Sequence, residues 1–229
     1  MVTSRPGGVS AAPYDTFNLG DHVGDDVSAV QGNRARLARA VGLDASVLAW
    51  MRQIHGDQVA VLGASPPTQP PECDALVTAT RGLALAVLVA DCVPVLLADP
   101  EAGVVGAAHA GREGVRRHVV SRAVEAMVEL GAKPRRLDAL LGPAICGRCY
   151  EVSQDLADEV ESAAPGGATR TRTGASGLDL RAALAAELSR LGVAQVVSDP
   201  RCTAEDPSLF SYRRDGVTGR QAGIIWLPA

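Results

Sequence analysis

Residues 83–111, which read LALAVLVADCVPVLLADPEAGVVGAAHAG, decide the fold. Three short runs rich in Val and Leu, at 83–90, 94–99 and 103–109, are typical of buried strands bounded by turn residues. The short turn at 100–103 predicts that the second and third strands form an antiparallel hairpin. If Asp99 faces Val104, His109 falls opposite Pro94 and close to Cys92. The hairpin therefore brings a thiol and an imidazole together.

Composition narrows the class of protein. A chain of 229 residues, 47% hydrophobic, buries a large core, either as one domain or as two fused halves. A net charge of −4 argues against general nucleic-acid binding. The first residues contain no apolar signal segment, and Asp91 and Pro94 interrupt the one long apolar run, which is too short to span a membrane. We therefore expect a cytoplasmic protein whose five cysteines are thiols or ligands.

The rest of the chain alternates between helix and strand patterns. The strand-rich middle and its mixed connections predict an α/β (α+β) protein with mixed β-sheets and not a parallel Rossmann sheet. The segment 165–177 lacks large apolar residues and is expected to be a mobile loop. Helices are predicted at 27–41, from 114 to 130, at 153–162 and from 179 to 191, and further strands at 47–50, 58–62, 74–78, 137–141, 194–198 and 222–227.

The chemical inventory is small. Lys133 is the only lysine, and no glycine-rich loop precedes it, so neither Schiff-base chemistry nor a Walker motif is expected. His55 lies in a polar turn between two predicted strands. With Cys92 and His109 it would form a His₂Cys set, and three protein ligands with one open position are typical of catalytic zinc.

Two other interpretations of these residues remain open. Spacing alone does not bring His55 to the other two, so the set could be a surface histidine beside a buried thiol. Alternatively, Cys92 is the nucleophile of a cysteine-dependent hydrolase, with His109 as its base and Asp91 or another acid orienting that histidine.

Two further motifs have both a chemical and a plain structural interpretation. The turn from Gly111 to Gly114 leads into a helix start, where free N–H groups suit an anion, although such glycines also serve tight turns alone. Cys146 and Cys149 form one C-x-x-C. A structural zinc would need a second pair of ligands, with Cys73, Cys202, His22 and His118 as the remaining Cys and His residues, so ordinary loop thiols are the preferred interpretation.

Motifs along nearly the whole chain resemble those of one family, the YfiH-like laccase-domain proteins. These proteins have been called polyphenol oxidases and are now regarded as purine nucleoside phosphorylases. The matching segments are RPGGVS at 5–10, NLG at 18–20, NR at 33–34, QIHG at 53–56, DALVT at 74–78, ADCVPVL at 90–96, HAG at 109–111, LGP at 141–143, CYEV at 149–152, CT at 202–203 and SYRRDG at 211–216.

The resemblance implies one layered α/β/β/α domain over residues 1–229. It implies a zinc ion held by His55, Cys92 and His109. The same three donors also suit copper, which is the alternative metal at this site. The resemblance also implies phosphorolysis of adenosine, inosine, guanosine and S-methyl-5'-thioadenosine, together with adenosine deaminase activity. Zinc with an open position would activate water for attack on C6 of adenine.

Small molecules, purine nucleosides and phosphate, are the partners that the resemblance implies, with no nucleic acid and no membrane. The residues expected to contact them are Asn18, Arg34, Gln53, Arg112 and Arg213, the arginines as phosphate ligands. A multicopper laccase centre needs far more than the four histidines present. A single-copper phenol oxidase remains an alternative.

One departure from the family pattern concerns the helix start. Members commonly follow His-Ala-Gly with Trp-Arg-Gly, whereas this chain has Arg112-Glu113-Gly114. A carboxylate there suits the helix dipole but opposes a bound phosphate. The hypothesis is a weaker phosphate affinity or an altered choice of substrate.

Overall fold

The hairpin predicted within residues 83–111 lies in the middle of a six-stranded sheet in the computed structural model, which describes residues 1–229. Asp99 pairs with Val104 and Pro94 with His109, so the predicted register is confirmed. The elements are α1 (Val27–Ala40), β1 (Leu48–Ala49), β2 (Val59–Leu62), β3 (Ala75–Thr78), β4 (Ala84–Val89), β5 (Val93–Asp99), β6 (Val104–Ala110), α2 (Arg112–Arg116), α3 (Val119–Glu129), β7 (Asp138–Leu141), α4 (Gln154–Ala163), β8 (Ala168–Arg170), β9 (Ser176–Leu178), α5 (Leu180–Arg190), β10 (Gln195–Ser198), α6 (Tyr212–Asp215) and β11 (Gln221–Trp226).

Two mixed sheets form the middle of the molecule. The larger has the strand order β10-β7-β5-β6-β3-β2 and the smaller β1-β4-β11, while β8 and β9 form a separate hairpin. Both large sheets combine parallel and antiparallel pairs. The prediction of mixed sheets is therefore confirmed.

Successive side chains of a strand point to opposite faces of its sheet, and the apolar core is divided into three clusters in this way. In β4, Ala86 belongs to the apolar cluster that includes residues of α1, while Val87 belongs to the cluster between the two sheets. In β5, Leu96 packs between the sheets, and Leu97 packs on the opposite face with α3, α4 and α5. Because each strand side has its own apolar partner, the order of layers is helix, sheet, sheet, helix, as expected.

Side-chain caps start three of the predicted helices. Asp26, Ser153 and Asp179 accept hydrogen bonds from the backbone N–H groups of Ala29, Leu156 and Ala182. A side chain of this type satisfies one of the free donors at a helix start, which is why the sequence locates these starts closely.

The helix predicted from 114 to 130 is interrupted, which corrects that prediction. His118 adopts a left-handed conformation, with φ 62°, between α2 and α3. α2 contacts α4, α5 and β6, whereas α3 lies along β2, β3 and β6 and also contacts α5. The break redirects the chain between these two surfaces, and an uninterrupted apolar pattern does not show it.

The expected mobile loop at 165–177 is in fact built around the β8–β9 hairpin. The Glu161 carboxylate accepts hydrogen bonds from the N–H groups of Gly166, Gly167 and Ala168. Hydrogen bonds of its main-chain groups, and not apolar side chains, hold this segment, so a prediction based on apolar content misses it. No helix combines the length and the apolar character needed to cross a membrane.

Candidate metal centre and active-site cavity

The structure brings the three predicted ligands together from three separate elements. His109 lies near the end of β6, Cys92 immediately before β5, and His55 in the turn between β1 and β2. Their ligand atoms all lie within 4.8 Å of one another. The two imidazole rings are nearly perpendicular, at 84°, with centroids 4.7 Å apart. The hairpin accounts for Cys92 and His109, and tertiary packing adds His55.

Asp74 connects both histidines. Its Oδ1 lies 2.9 Å from Nδ1 of His109 and accepts the backbone N–H of His55 at 3.0 Å. Its Oδ2 accepts the N–H groups of Ile54 at 3.3 Å and Gly56 at 2.6 Å. Three consecutive N–H groups thus hold the turn in which His55 has a φ of 57°. A carboxylate on one nitrogen of His109 leaves Nε2 as the ligand atom.

Asp91 does not orient His109, contrary to the acid suggested first for the hydrolase interpretation. Its Oδ1 accepts hydrogen bonds from Thr203 and Ser211, both at 2.6 Å, and its Oδ2 accepts the N–H of Arg213 at 2.6 Å. The residue has a φ of 90°, a region that non-glycine residues rarely adopt. These three bonds stabilise that conformation, which turns the chain from one sheet into the other and positions Cys92.

The electrostatics favour a thiolate. Burial alone would raise the pKa of Cys92, but the charge of His109 and hydrogen bonds from both histidines lower it to about 6. Burial would likewise lower the pKa of His109, but the Cys92 charge and the Asp74 carboxylate raise it to about 9. The pKa of Asp74 is lowered despite its burial, because His109 and backbone N–H groups donate to it.

The space between the donors fits a metal ion. A Cβ atom on Gly111 would lie 3.0 Å from Sγ of Cys92 and 3.3 Å from Cδ2 of His55. Glycine therefore leaves a cradle open beside the three donors. One thiolate and two imidazoles in such a cradle suit a tetrahedral zinc ion with one free position, and a copper ion accepts the same atoms.

The donors lie in a cavity of about 510 Å³, within the size range of small-molecule sites. Three of the predicted contact residues line it: Gln53, Arg112 and Arg213. Gln53 bonds both the N–H and the C=O of Leu88 at 2.8 Å, so its amide holds an edge of β4. The Arg213 guanidinium lies 5.0 Å from the centre of the Tyr150 ring.

Asn18 and Arg34 do not line this cavity, unlike the other predicted contacts. Arg34 stacks on Trp50 at 4.1 Å and borders a neighbouring groove with His22. Asn18 is fully buried, and its Oδ1 accepts the N–H of Arg220 at 2.8 Å. In this geometry Asn18 is a positioning residue for Arg220.

The cavity also contains residues that sequence reasoning did not select. These are His22, Tyr150, Tyr212 and Arg220, besides apolar residues such as Leu88 and Ile145. Burial lowers the pKa of Arg220, although the charges of Cys92 and Asp91 favour its protonated form. Tyr150 belongs to the CYEV motif at 149–152, and this motif could have identified it as a site residue. Arg220 has no local pattern that identifies it.

Glu113 lies outside the cavity lining. Its carboxylate pairs with Arg116 at 2.9 Å, Arg112 at 3.3 Å and Arg117 at 3.8 Å. These guanidinium groups compensate its charge, while Arg112 reaches the cavity. In addition, α2 is only five residues long, so little helix dipole is available at the predicted phosphate site. The guanidinium groups of the lining, more than the helix start, therefore supply the positive charge of this cavity.

The whole chain is similar to named proteins and solved structures. Residues 1–228 match the family model described as multi-copper polyphenol oxidoreductase laccase. A protein of Mycobacterium tuberculosis H37Rv named purine nucleoside phosphorylase is 56% identical over 227 residues, which are 99% of this chain and 91% of that protein. A purine nucleoside phosphorylase of Corynebacterium glutamicum is 56% identical over 230 residues, covering 100% of this chain and 94% of that protein.

Solved structures give the same assignment. YlmD from Geobacillus stearothermophilus superposes with a TM-score of 0.93 at 32% identity, covering 100% of this chain and 91% of that one. Two criteria therefore agree, sequence over the full length and the arrangement of the layers. The chain belongs to the YfiH-like laccase-domain family.

Proposed function

We propose that this protein is a zinc-dependent purine nucleoside phosphorylase whose active site is the cavity around His55, Cys92 and His109, within a single domain over residues 1–229. The observation that carries the proposal is one cavity that joins a metal donor set to guanidinium groups and tyrosine rings. The names of relatives at 49–56% identity support it. A cytoplasmic location, and purine nucleosides and phosphate as partners, stay predictions.

Phosphorolysis places two demands on such a site. Phosphate must be held near the anomeric carbon of the ribose while its oxygen replaces the purine, and the electron pair of the broken C–N bond leaves with the base. Arg112 and Arg213 supply hydrogen-bond donors for the phosphate, and Arg220 adds a third guanidinium. The rings of Tyr150 and Tyr212 offer apolar faces for the purine.

His55, Cys92 and His109 would hold the zinc ion. When bound, zinc supplies a Lewis-acid charge and one open coordination position at this end of the cavity. Asp74 keeps the His109 ring oriented and its ligand nitrogen free. Adenosine deaminase activity and cleavage of S-methyl-5'-thioadenosine belong to the same proposal, since both substrates present the same purine nucleoside core.

Product analysis by HPLC tests the proposal. Adenosine incubated with the zinc-loaded protein should give adenine and ribose 1-phosphate only when phosphate is present, and inosine where deamination occurs. The same assay applies to inosine, guanosine and S-methyl-5'-thioadenosine. Release of free base at the same rate without phosphate, or no turnover of any of these nucleosides, would contradict the phosphorylase assignment.

A cysteine-dependent hydrolase is the second candidate, and one observation favours it. The lowered pKa of Cys92 and the raised pKa of His109 describe a thiolate–imidazolium pair. The two candidates differ in their need for metal. If the zinc-depleted protein keeps its full catalytic activity and His55→Ala does not change that activity, the hydrolase assignment is correct. If activity returns only with added zinc, the phosphorylase proposal stands.

A further inference from the structure

A second cluster of metal-binding side chains lies outside the cavity. It joins the loop after β7 to the loop after β10, and we name it the thiol cluster: Cys146, Cys149, Cys202 and Glu205. One ligand atom from each residue lies within 4.8 Å of all the others. None of its members lines the active-site cavity.

The two loops contribute matching pairs of ligands. The first pair has the spacing C-x-x-C, and the second has C-x-x-E. In the first, the N–H of Cys149 bonds the carbonyl of Cys146 at 2.9 Å; in the second, the N–H of Glu205 bonds the carbonyl of Cys202 at 3.1 Å. Each pair is thus a tight turn that directs both of its ligands to one side. Paired turns of this spacing are typical of structural zinc sites.

The loops are held next to each other by the backbone. Ala144 and Cys202 form a parallel bridge, and the N–H of Thr203 bonds the carbonyl of Ala144 at 3.2 Å. The N–H of Cys146 lies 3.3 Å from Sγ of Cys202, and Sγ of Cys149 lies 3.1 Å from the Glu205 carboxylate. An N–H group directed at sulfur supports a thiolate ligand, as outer contacts do in metal sites.

We propose that the thiol cluster binds one Zn²⁺ ion as a closed, structural site. Three sulfur atoms select zinc, copper(I) or iron–sulfur clusters, and the carboxylate oxygen favours zinc among these. Zn–S bonds of about 2.3 Å place sulfur atoms about 3.8 Å apart in a tetrahedron, so small side-chain movements suffice. Binding converts three thiols to thiolates and releases their three protons to solvent.

Arg172 offsets part of the negative charge of this ligand set. Three thiolates and one carboxylate exceed the charge of a zinc ion, and Arg172 forms an ion pair with Glu205. The residue lies in the β8–β9 turn, so this ion pair connects that turn to the thiol cluster. The zinc ion would fasten the two loops, and with them the cavity wall at Ile145 and Tyr150, which flank the C-x-x-C pair.

Metal content separates this site from the active-site cavity. Zinc-loaded Cys92→Ser protein, which lacks a ligand of the first site, should hold one zinc ion per chain by mass spectrometry of the metal. Cys92→Ser/Cys149→Ser should hold none, and the control Cys92→Ser/Glu125→Gln, which changes an exposed acid elsewhere, should keep one. Zinc-free Cys92→Ser protein, or zinc retained in the Cys149 variant, would overturn the proposal.

A second measurement needs no change in the thiol cluster. In Cys92→Ser protein, bound zinc should slow alkylation of Cys146, Cys149 and Cys202 by iodoacetamide at least about tenfold, because coordinated thiolates react slowly. Cys73, which is buried elsewhere, serves as the internal reference. Equal alkylation rates with and without zinc, or a disulfide between any two of the three cysteines in freshly purified protein, would overturn the proposal. Both readouts are independent of nucleoside turnover.

Discussion

At the scale of single residues, the candidate metal centre depends on Asp74. Its carboxylate orients the His109 ring and accepts a hydrogen bond from the turn that contains His55. Asp74→Asn keeps the shape of the side chain but removes its charge. We expect zinc affinity at the first site to fall by about 10- to 100-fold, since outer partners of ligating histidines have effects of this size. Competition with a chelator measures it, and Asp155→Asn, on the exposed side of α4, is the control. An unchanged affinity in a folded Asp74→Asn protein would contradict this role.

Gly111 is a second test at this scale. A methyl group at this position would occupy the cradle, 3.0 Å from Sγ of Cys92. Its φ of −79° suits any residue, so Gly111→Ala should fold normally but lose zinc from the first site. Gly63→Ala adds a methyl group in open space and is the matched control. Metal analysis and thermal unfolding distinguish the outcomes, and full zinc occupancy in Gly111→Ala would show that the ion lies elsewhere.

Arg112 tests the phosphate side of the cavity. Arg112→Ala removes a guanidinium from the lining and should raise the KM for phosphate by about tenfold or more, since charge-assisted hydrogen bonds are worth about 1.5–3 kcal/mol each. Arg117→Ala, outside the lining, should leave the value unchanged. Glu113→Arg should also have little effect, because Glu113 does not face the cavity. A large gain in phosphate affinity in Glu113→Arg would restore the hypothesis that this carboxylate opposes phosphate.

At the scale of elements, the β5–β6 hairpin depends on Asp99. This buried carboxylate accepts the N–H groups of Ala102 and Lys133 at 2.9 Å and Nε of Arg136 at 3.0 Å. Burial alone would raise its pKa, but these donors and the Arg136 charge lower it. The hairpin turn is therefore tied to the loop that follows α3.

The lowered pKa predicts a pH dependence of stability. The unfolded chain takes up a proton on Asp99 near pH 3.9, whereas the folded chain does so only at lower pH, so the stabilisation is complete above about pH 4 and is lost as pH falls through the folded pKa. Asp99→Asn should destabilise by about 1.5–3 kcal/mol at pH 7. Urea unfolding should show this difference narrowing in acid. Asp138→Asn, an exposed control, should behave as wild type, and a constant difference at all pH values would contradict the argument.

At the scale of the whole molecule, β5 belongs to two cores. Leu96 packs between the sheets and Leu97 against the helices. Replacing either by Ala should cost about 2–5 kcal/mol, whereas Val61→Ala, at a side chain 51% exposed, should cost under about 0.5 kcal/mol. Because the strand is shared, each variant should unfold in one transition. Two separate transitions in calorimetry would show that the layers unfold independently.

Much of this architecture follows from local sequence. Apolar runs between turn residues predict the strands, and the turn at 100–103 determines which residues of β5 and β6 face each other. Asp26, Ser153 and Asp179 mark helix starts, because a cap acts within three residues of itself. The proximity of Cys92 to His109 is also predictable from local sequence. It needs only a strand spacing and a short turn.

Contacts between distant parts of the chain, visible only in the tertiary structure, determine the remaining features of the site. His55 joins the site because Asp74, immediately before β3, binds its turn. At Asp91 the chain passes from the sheet of β4 to the sheet of the hairpin, because Thr203, Ser211 and Arg213 stabilise that bend. Arg220 and Glu205 have no local pattern that shows their neighbours. Hydrogen-bond partners from 19 to 202 residues away along the chain select these arrangements, and short-range periodicity contains no record of them. The sequence alone therefore determined the thiol–imidazole pair, and the folded chain made it a three-donor site within a cavity.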